Sequence, residues 1–176
     1  CGHEGRALRT GDVLTVQGVK REVSGRWRVD PRLLPAYGPA TVVRAVAGAQ
    51  ANEFAEGFYR AEFIVSAQSD RMGLRLHGPE LVRAKPHDLI STAVAPGTVQ
   101  VPPGGELIAL LADAQTIGGY PCVAHVVHVD LPLLAQLRPG DTVKFAAVDL
   151  DTAHRLWLEQ EKALGLLHEG LREKLK

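Results

Sequence analysis

Short apolar stretches separated by turn-forming residues fill residues 1–148. Many carry β-branched residues, which is typical of strands, and glycine and proline, 18 and 11 in number, cluster between them. The pattern predicts strands at Ala7–Gln17, Arg26–Val29, Ala40–Ala45, Glu62–Ala67, Met72–His77, Thr98–Val101, Leu107–Leu111, Cys122–Val129 and Thr142–Val148. So many short strands with few helices predict a mainly β domain over residues 1–148, either a barrel or a sandwich.

Two short helices interrupt this pattern. Three aromatic residues at helical spacing predict one over Asn52–Arg60. The other is predicted over Asp130–Leu137, with the Asp130 side chain as its N-cap.

The last segment, 149–176, has a different periodicity. Its apolar residues recur every three or four positions, which predicts an amphipathic helix with Asp149 or Asp151 as its cap. The helix could cover an open edge of the β domain or form a contact with another protein chain.

Charge and composition exclude several classes of protein. Lys plus Arg and Asp plus Glu both number 20, which argues against a partner that is nucleic acid or an anionic membrane. No apolar stretch is long enough to span a bilayer, and two cysteines do not make a disulfide framework. We therefore predict a cytoplasmic protein.

The chain begins with Cys1 instead of methionine. Cys1 could be a lipoprotein cysteine, or a nucleophile exposed by self-processing. We favour a third interpretation, in which the chain is a fragment of a longer protein.

Polar residues in two segments are candidates for ligand binding. Asp70 and Arg71 lie between two predicted strands, where they could face a ligand, or where Asp70 could fix a turn with Arg71 ion-paired at the surface. Gln100 lies mid-strand among apolar neighbours, and an amide inside a barrel needs partners, either a ligand or backbone groups.

A third segment, Ala112–Pro121, contains paired glycines between two apolar strands. Its backbone N–H groups could form an anion-binding nest, although a plain tight turn explains the glycines equally well. The side chains that could add donors and acceptors are Asp113, Gln115, Thr116 and Tyr120.

No metal-ligand set is visible. His125 and His128 lie three apart on a predicted strand and should face opposite sides. Neither Cys-x-x-Cys nor His-Glu-x-x-His occurs, and there is no Gly-x-Ser-x-Gly nucleophile motif.

Four segments together carry a more specific signal than any one of them. They are Ser69–Pro79, Ala95–Pro102, Leu111–Pro121 and Asp130–Asp141. In order and spacing they resemble the family that comprises the C subunit of 5-oxoprolinase, the Kip antagonist proteins and the carboxyltransferase domain (subdomains A and B) of urea carboxylases. The resemblance extends to about Phe145.

The resemblance implies a cyclophilin-like closed β-barrel and a place in a larger assembly. The chain would be the C-terminal half of a family member, with the N-terminal half of the same protein absent. The partners would be a B-type (KipI-like) protein or fused domain, and the A subunit of 5-oxoprolinase. Together they convert 5-oxoproline to glutamate with ATP, and the resemblance assigns the ATP site to no residue of this chain.

The resemblance also favours ligand-binding roles for the polar residues. The expected site for a small amide ligand comprises Asp70, Arg71, Gln100, Asp113, Gln115, Thr116, Gly118, Gly119 and Tyr120. Arg71 would pair with a carboxylate or phosphate, and Asp113 would orient Arg71 or accept a substrate N–H. Gln100, Gln115 and Tyr120 would hold the amide.

Three residues depart from the family pattern. Ala114, Ile117 and Cys122 stand where Arg, Thr and Lys are usual, which reduces the capacity of the Gly118–Gly119 loop for anions. We expect a component of an enzyme complex, an ATP-dependent amide (lactam) hydrolase. The alternatives are a biotin-dependent carboxyltransferase domain of the urea carboxylase type and a non-enzymatic regulatory binding protein similar to the Kip antagonist.

Overall fold

The computed structural model describes residues 4–15, 18, 28–54, 57–84 and 87–174. Strands and α-helices within these ranges occur in the following order: β1 Ala40–Ala47, β2 Glu62–Val65, β3 Gly73–His77, β4 Thr92–Ala93, β5 Thr98–Gln100, β6 Leu107–Leu110, β7 Ile117–Gly118, β8 Cys122–Val126, α1 Leu131–Ala135, β9 Thr142–Ala147 and α2 Leu150–Lys174.

Seven of these strands close into a barrel in the order β1-β8-β5-β6-β3-β2-β9. β1 closes it by running parallel to β9, with Ala40 opposite Thr142 and Ala45 opposite Ala147. The other neighbouring pairs are antiparallel. A closed barrel leaves no unpaired edge, which is how short strands form a stable sheet. The mainly β fold with a closed barrel is confirmed.

The barrel core follows from the alternation of side chains along each strand. In β2, Phe63 is buried while Ile64, its neighbour, is exposed. Phe63 meets Phe58 and Phe145 inside the core, and the rings of Phe58 and Phe145 stack with their centroids 4.5 Å apart. Val99 of β5 belongs to the same buried cluster, so its strand neighbours Thr98 and Gln100 point away from that core.

A two-stranded ribbon lies outside the barrel sheet. β4 pairs with β7, with Thr92 opposite Gly118 and Ala93 opposite Ile117. The ribbon continues through a bond from the Val94 N–H to the carbonyl of Thr116, 3.0 Å long. Neither strand was predicted from the sequence, because each has only two residues, too few for a visible period.

The predicted helix over Asn52–Arg60 is wrong. A 3-10 turn covers Ala51–Glu53, Phe54 then forms an isolated bridge with Arg83, and residues 57–60 form a further turn. The bridge extends the backbone at Phe54, which ends any helix there. The aromatic residues that suggested a helix do contact the core, but from irregular backbone.

The predicted strand over Ala7–Gln17 is also wrong across its described part. Asp12 closes this segment into a loop by accepting bonds from the Arg9 N–H, at 2.7 Å, and from both terminal nitrogens of Arg6. Leu8, Val13 and Leu14 are exposed there. Arg28 and Val29 are not in a strand either, and the rest of that predicted strand, like Cys1, lies outside the described residues.

Asp130 occupies the N-cap position of α1, but its side chain makes no cap bond. The carboxylate instead accepts three bonds from Arg44, from the backbone N–H at 2.7 Å, from Nε at 2.9 Å and from a terminal nitrogen at 2.5 Å. The predicted cap is therefore wrong, because the forked ion pair to β1 takes both oxygens. The ion pair ties the start of α1 to β1 of the barrel.

The C-terminal amphipathic helix is present as α2, and Asp149 caps it by accepting a 2.7 Å bond from the Thr152 N–H. None of the residues of α2 is fully buried.

Candidate functional site

Asp70 fixes the turn that leads into β3. Its Oδ1 accepts bonds from the backbone N–H groups of Met72, at 2.8 Å, and Gly73, at 3.2 Å. This is the Asx turn that the sequence allowed as the alternative to a ligand-binding role. Asp70 therefore shapes the segment, and Arg71 is the residue that the turn presents to solvent, with 82% of its side chain exposed.

Arg71 lies beside Asp113, as the proposed orienting role requires. Nε of Arg71 is 3.3 Å from Oδ2 of Asp113. The backbone holds the two segments together, because the Asp113 N–H donates to the Arg71 carbonyl at 3.2 Å and the Leu111 N–H donates to the Met72 carbonyl at 2.9 Å. Asp70, Arg71 and Asp113 thus form one cluster at the start of β3 and the end of β6.

Gln100 belongs to a second cluster, and its predicted place inside the barrel is wrong. It lies on the outer face of β5 yet is only 1% exposed. The cover is Gly118 of the ribbon, where an added Cβ would stand 2.7 Å from Nε2 of Gln100. Nε2 donates a long 3.5 Å bond to the Tyr120 carbonyl, and Oε1 is buried without a hydrogen-bond partner.

A cavity of about 340 Å³ opens beside this second cluster. Gly118, Gly119 and Tyr120 form one wall, and Thr98 lies on the barrel side. Gln115 and Thr116 are exposed on the segment that links Asp113 to this wall. The structure thus brings the predicted residues into two clusters joined by a single loop.

A larger cavity of about 680 Å³ adjoins the first one and shares Leu89, Gly119 and Tyr120 with it. Apolar side chains form most of its wall, including Phe54. Arg83 is the one arginine in its described lining, and it is paired with Glu53 at 2.5 Å. Both cavities lie in the size range of small-molecule sites.

A contact between Cys122 and His125 in the smaller cavity was not predicted from the sequence. Sγ of Cys122 is 3.3 Å from Nε2 of His125, and Nδ1 of His125 is 3.3 Å from Oγ1 of Thr98. Residues three apart face opposite sides of a regular strand. Here the register shifts, with Val99 opposite Ala124 and Gln100 opposite Cys122, and this bulge places both side chains on the outer face.

The surroundings of this pair favour its uncharged forms. Burial raises the pKa of the Cys122 thiol, and partial burial lowers the pKa of the His125 ring, part of which is exposed to solvent. Both shifts favour the neutral forms, so at neutral pH an uncharged thiol lies beside an uncharged imidazole. The cavity wall at this point is polar but carries no net charge.

In the described part of the chain, no helix combines the length and the apolar character that a membrane span requires. The same residues contain no group of three or more His, Cys, Asp or Glu side chains that could hold a metal ion.

Comparison with known proteins places the chain among relatives of known name. It is 37% identical to the C subunit of 5-oxoprolinase from Haemophilus influenzae, over 98% of this chain and 55% of that protein. It is 36% identical to the C subunit of 5-oxoprolinase from Escherichia coli, over 92% of this chain and 52% of that protein. The chain therefore spans about half the length of these curated relatives.

The fold is shared with larger enzymes. The crystal structure of the K. lactis urea amidolyase matches with a TM-score of 0.69 and 26% identity, over 76% of this chain and 9% of that one. The model of the carboxyltransferase domain, subdomains A and B, matches residues 1–147. The resemblance drawn from the four segments is confirmed, and the chain belongs to the carboxyltransferase domain family, subdomains A and B.

Proposed function

We propose that this chain is the C-terminal half of the C subunit of a 5-oxoprolinase and supplies part of the site that binds 5-oxoproline. The observation that carries the proposal is identity of 36–37% to two proteins of that name across nearly the whole chain. The activity would be ATP-dependent opening of the lactam to glutamate, in a complex with B-type and A-type partners.

Each cluster offers a group that suits one part of such a ligand. 5-Oxoproline carries a carboxylate and a lactam amide. The exposed guanidinium of Arg71, oriented by Asp113, suits the carboxylate. The buried Oε1 of Gln100, which lacks a protein partner, suits the lactam N–H. Binding would require the β4–β7 ribbon to move away from β5 as a unit, because Gly118 covers the amide.

The described lining of the two cavities has no feature that identifies an ATP site. Neither cavity has a lysine in its described lining, and Arg83 is already paired with Glu53. No residue of this chain is assigned a role toward the nucleotide.

A carboxyltransferase of the urea carboxylase type is the second candidate, because the fold match to the K. lactis urea amidolyase includes 26% identity. The lower identity makes it the weaker of the two. It predicts a requirement for a biotin-carrying partner, which the first proposal does not.

The deciding experiment is an assay of the complete C subunit, reconstituted with its B-type and A-type partners. Glutamate release from 5-oxoproline that depends on ATP and on all three components would support the first proposal. Parallel reactions with urea and a carboxylated biotin carrier, generated from bicarbonate and ATP by a biotin carboxylase, test the second. Turnover only in the parallel reactions, or none with 5-oxoproline, would rule the first one out.

A further inference from the structure

The bulge in β8 creates a cluster that the proposed ring opening does not use. Cys122, His125 and Thr98 all line the cavity of about 340 Å³. They are connected in that order, thiol to imidazole to hydroxyl, by two separations of 3.3 Å. A nucleophile beside a base that is oriented by a third group is the arrangement that activates thiols and hydroxyls for acyl transfer.

The local backbone holds each member of the cluster in place. The Cys122 N–H donates to Oε1 of Gln50 at 3.0 Å, and the Gln50 N–H donates back to the Cys122 carbonyl at 3.0 Å. Oγ1 of Thr98 also accepts a bond from the Ala95 N–H at 3.3 Å, which fixes the hydroxyl that faces His125. Thr98 itself is 1% exposed, so its rotamer is restricted by packing.

We propose that Cys122 is a nucleophile that accepts acyl groups from small activated carbonyl compounds bound in this cavity, with His125 as its base and Thr98 as the residue that orients His125. The proposal does not rest on the lactam-opening function. It assigns the cavity a chemical class of ligand, small acyl compounds.

The reaction balances without a redox partner. Sγ of Cys122 attacks the carbonyl carbon, so that an S–C bond forms and the bond from that carbon to the leaving oxygen breaks. The thiol proton passes to Nε2 of His125 and from there to the leaving oxygen. The products are a thioester on Cys122 and a free alcohol or phenol, and water then hydrolyses the thioester to a carboxylic acid and restores the thiol.

The uncharged state of the pair is consistent with this sequence of steps. Because burial raises the pKa of the Cys122 thiol and lowers that of His125, no thiolate–imidazolium pair is formed in advance. The proton must therefore move to His125 during attack, as in a serine–histidine pair. Loss of His125 should consequently affect the rate strongly.

The test uses 4-nitrophenyl acetate as the acyl donor and the whole chain carrying Cys1→Ser, which leaves Cys122 as its single thiol. Nitrophenol release gives the rate, and peptide mass spectrometry locates the acetyl group. We expect acetylation of Cys122, loss of that acetylation in Cys122→Ala, and a rate about 10²–10⁴-fold lower in His125→Ala. His125→Gln provides a second variant, and circular dichroism confirms the fold of each.

Thr98 is tested by rescue. Thr98→Val keeps the shape but removes the hydroxyl and should slow acetylation, whereas Thr98→Ser keeps the hydroxyl and should restore the rate. Equal acetylation rates of Cys122 with and without His125, or acetylation of lysines and tyrosines alone, would overturn the proposal. If Thr98→Val were acetylated at the same rate as the parent chain, Thr98 would have no role in orienting His125.

Discussion

Gly118 lies against the side-chain amide of Gln100 so closely that a Cβ on Gly118 would stand 2.7 Å from Nε2. Gly118 also pairs with Thr92 in the ribbon, so neither the backbone nor the buried amide can retreat easily. The absence of a side chain at Gly118 is what allows the ribbon to cover the outer face of β5.

The first prediction concerns this contact. Gly118→Ala should destabilise the chain by about 1–3 kcal/mol, because the added methyl overpacks against the buried amide. Gly119→Ala is the matched control. Its Cβ would meet only the Oγ of Ser91 at 3.2 Å, a side chain that can rotate, so a change under about 0.5 kcal/mol is expected. Urea unfolding measures both, and equal midpoints for the two variants would contradict the contact.

This contact shows where sequence reasoning succeeds and where it stops. Turn residues and short apolar stretches are local signals, and they predicted a mainly β domain. The four motif segments identified the family, and the closed barrel was what the family resemblance implied. The outward direction of the Gln100 side chain depends on which face of β5 points into the closed barrel. The Cys122–His125 contact depends on one bulge, and a bulge is set by pairing with β5 and leaves no periodic signal.

The second prediction concerns the ion pair between Arg44 and Asp130. Asp130→Ala should destabilise the chain by about 3 kcal/mol, because it leaves the Arg44 guanidinium and backbone N–H without their acceptor in a partly buried site. The full cost of a completely buried pair is not expected, since 37% of the Arg44 side chain is exposed.

Glu62→Ala is the control for this pair. It breaks the ion pair with Lys144, in which both side chains are about half exposed, and should cost under about 1 kcal/mol. If thermal or urea unfolding showed similar losses of stability in the two variants, the forked pair would have no special role in holding α1 to β1.

The third prediction is a dependence of stability on pH through the cap of α2. Hydrogen bonds from the Thr152 side chain and backbone N–H lower the pKa of Asp149. A group whose pKa is lower in the folded state stabilises that state above its unfolded pKa, and the effect disappears as the pH falls through the folded pKa. Acidification should therefore weaken α2.

Asp149→Asn separates this charge effect from capping itself, because Asn also caps helices but does not titrate. The variant should show a smaller loss of unfolding free energy on acidification than the parent chain. Identical slopes for the parent and Asp149→Asn would contradict the assignment of the cap.

The last prediction tests whether the exposed cluster at the start of β3 binds substrate. Arg71→Ala should reduce lactam cleavage by the assembled complex about 10²-fold or more, because the carboxylate of 5-oxoproline would lose its cation and its orientation. The same variant should change the unfolding free energy by under about 1 kcal/mol, since the Arg71–Asp113 pair is solvent-exposed.

Arg155→Ala is the matched control, because it removes an arginine from another exposed ion pair, with Glu159 on α2, and should leave turnover unchanged. The turnover of Asp113→Asn should lie between those of Arg71→Ala and Arg155→Ala, since this variant keeps the Arg71 guanidinium but loosens its orientation. Steady-state assays at several 5-oxoproline concentrations measure these effects, and full activity in Arg71→Ala would show that the Asp70 turn and its ion pair serve the fold alone.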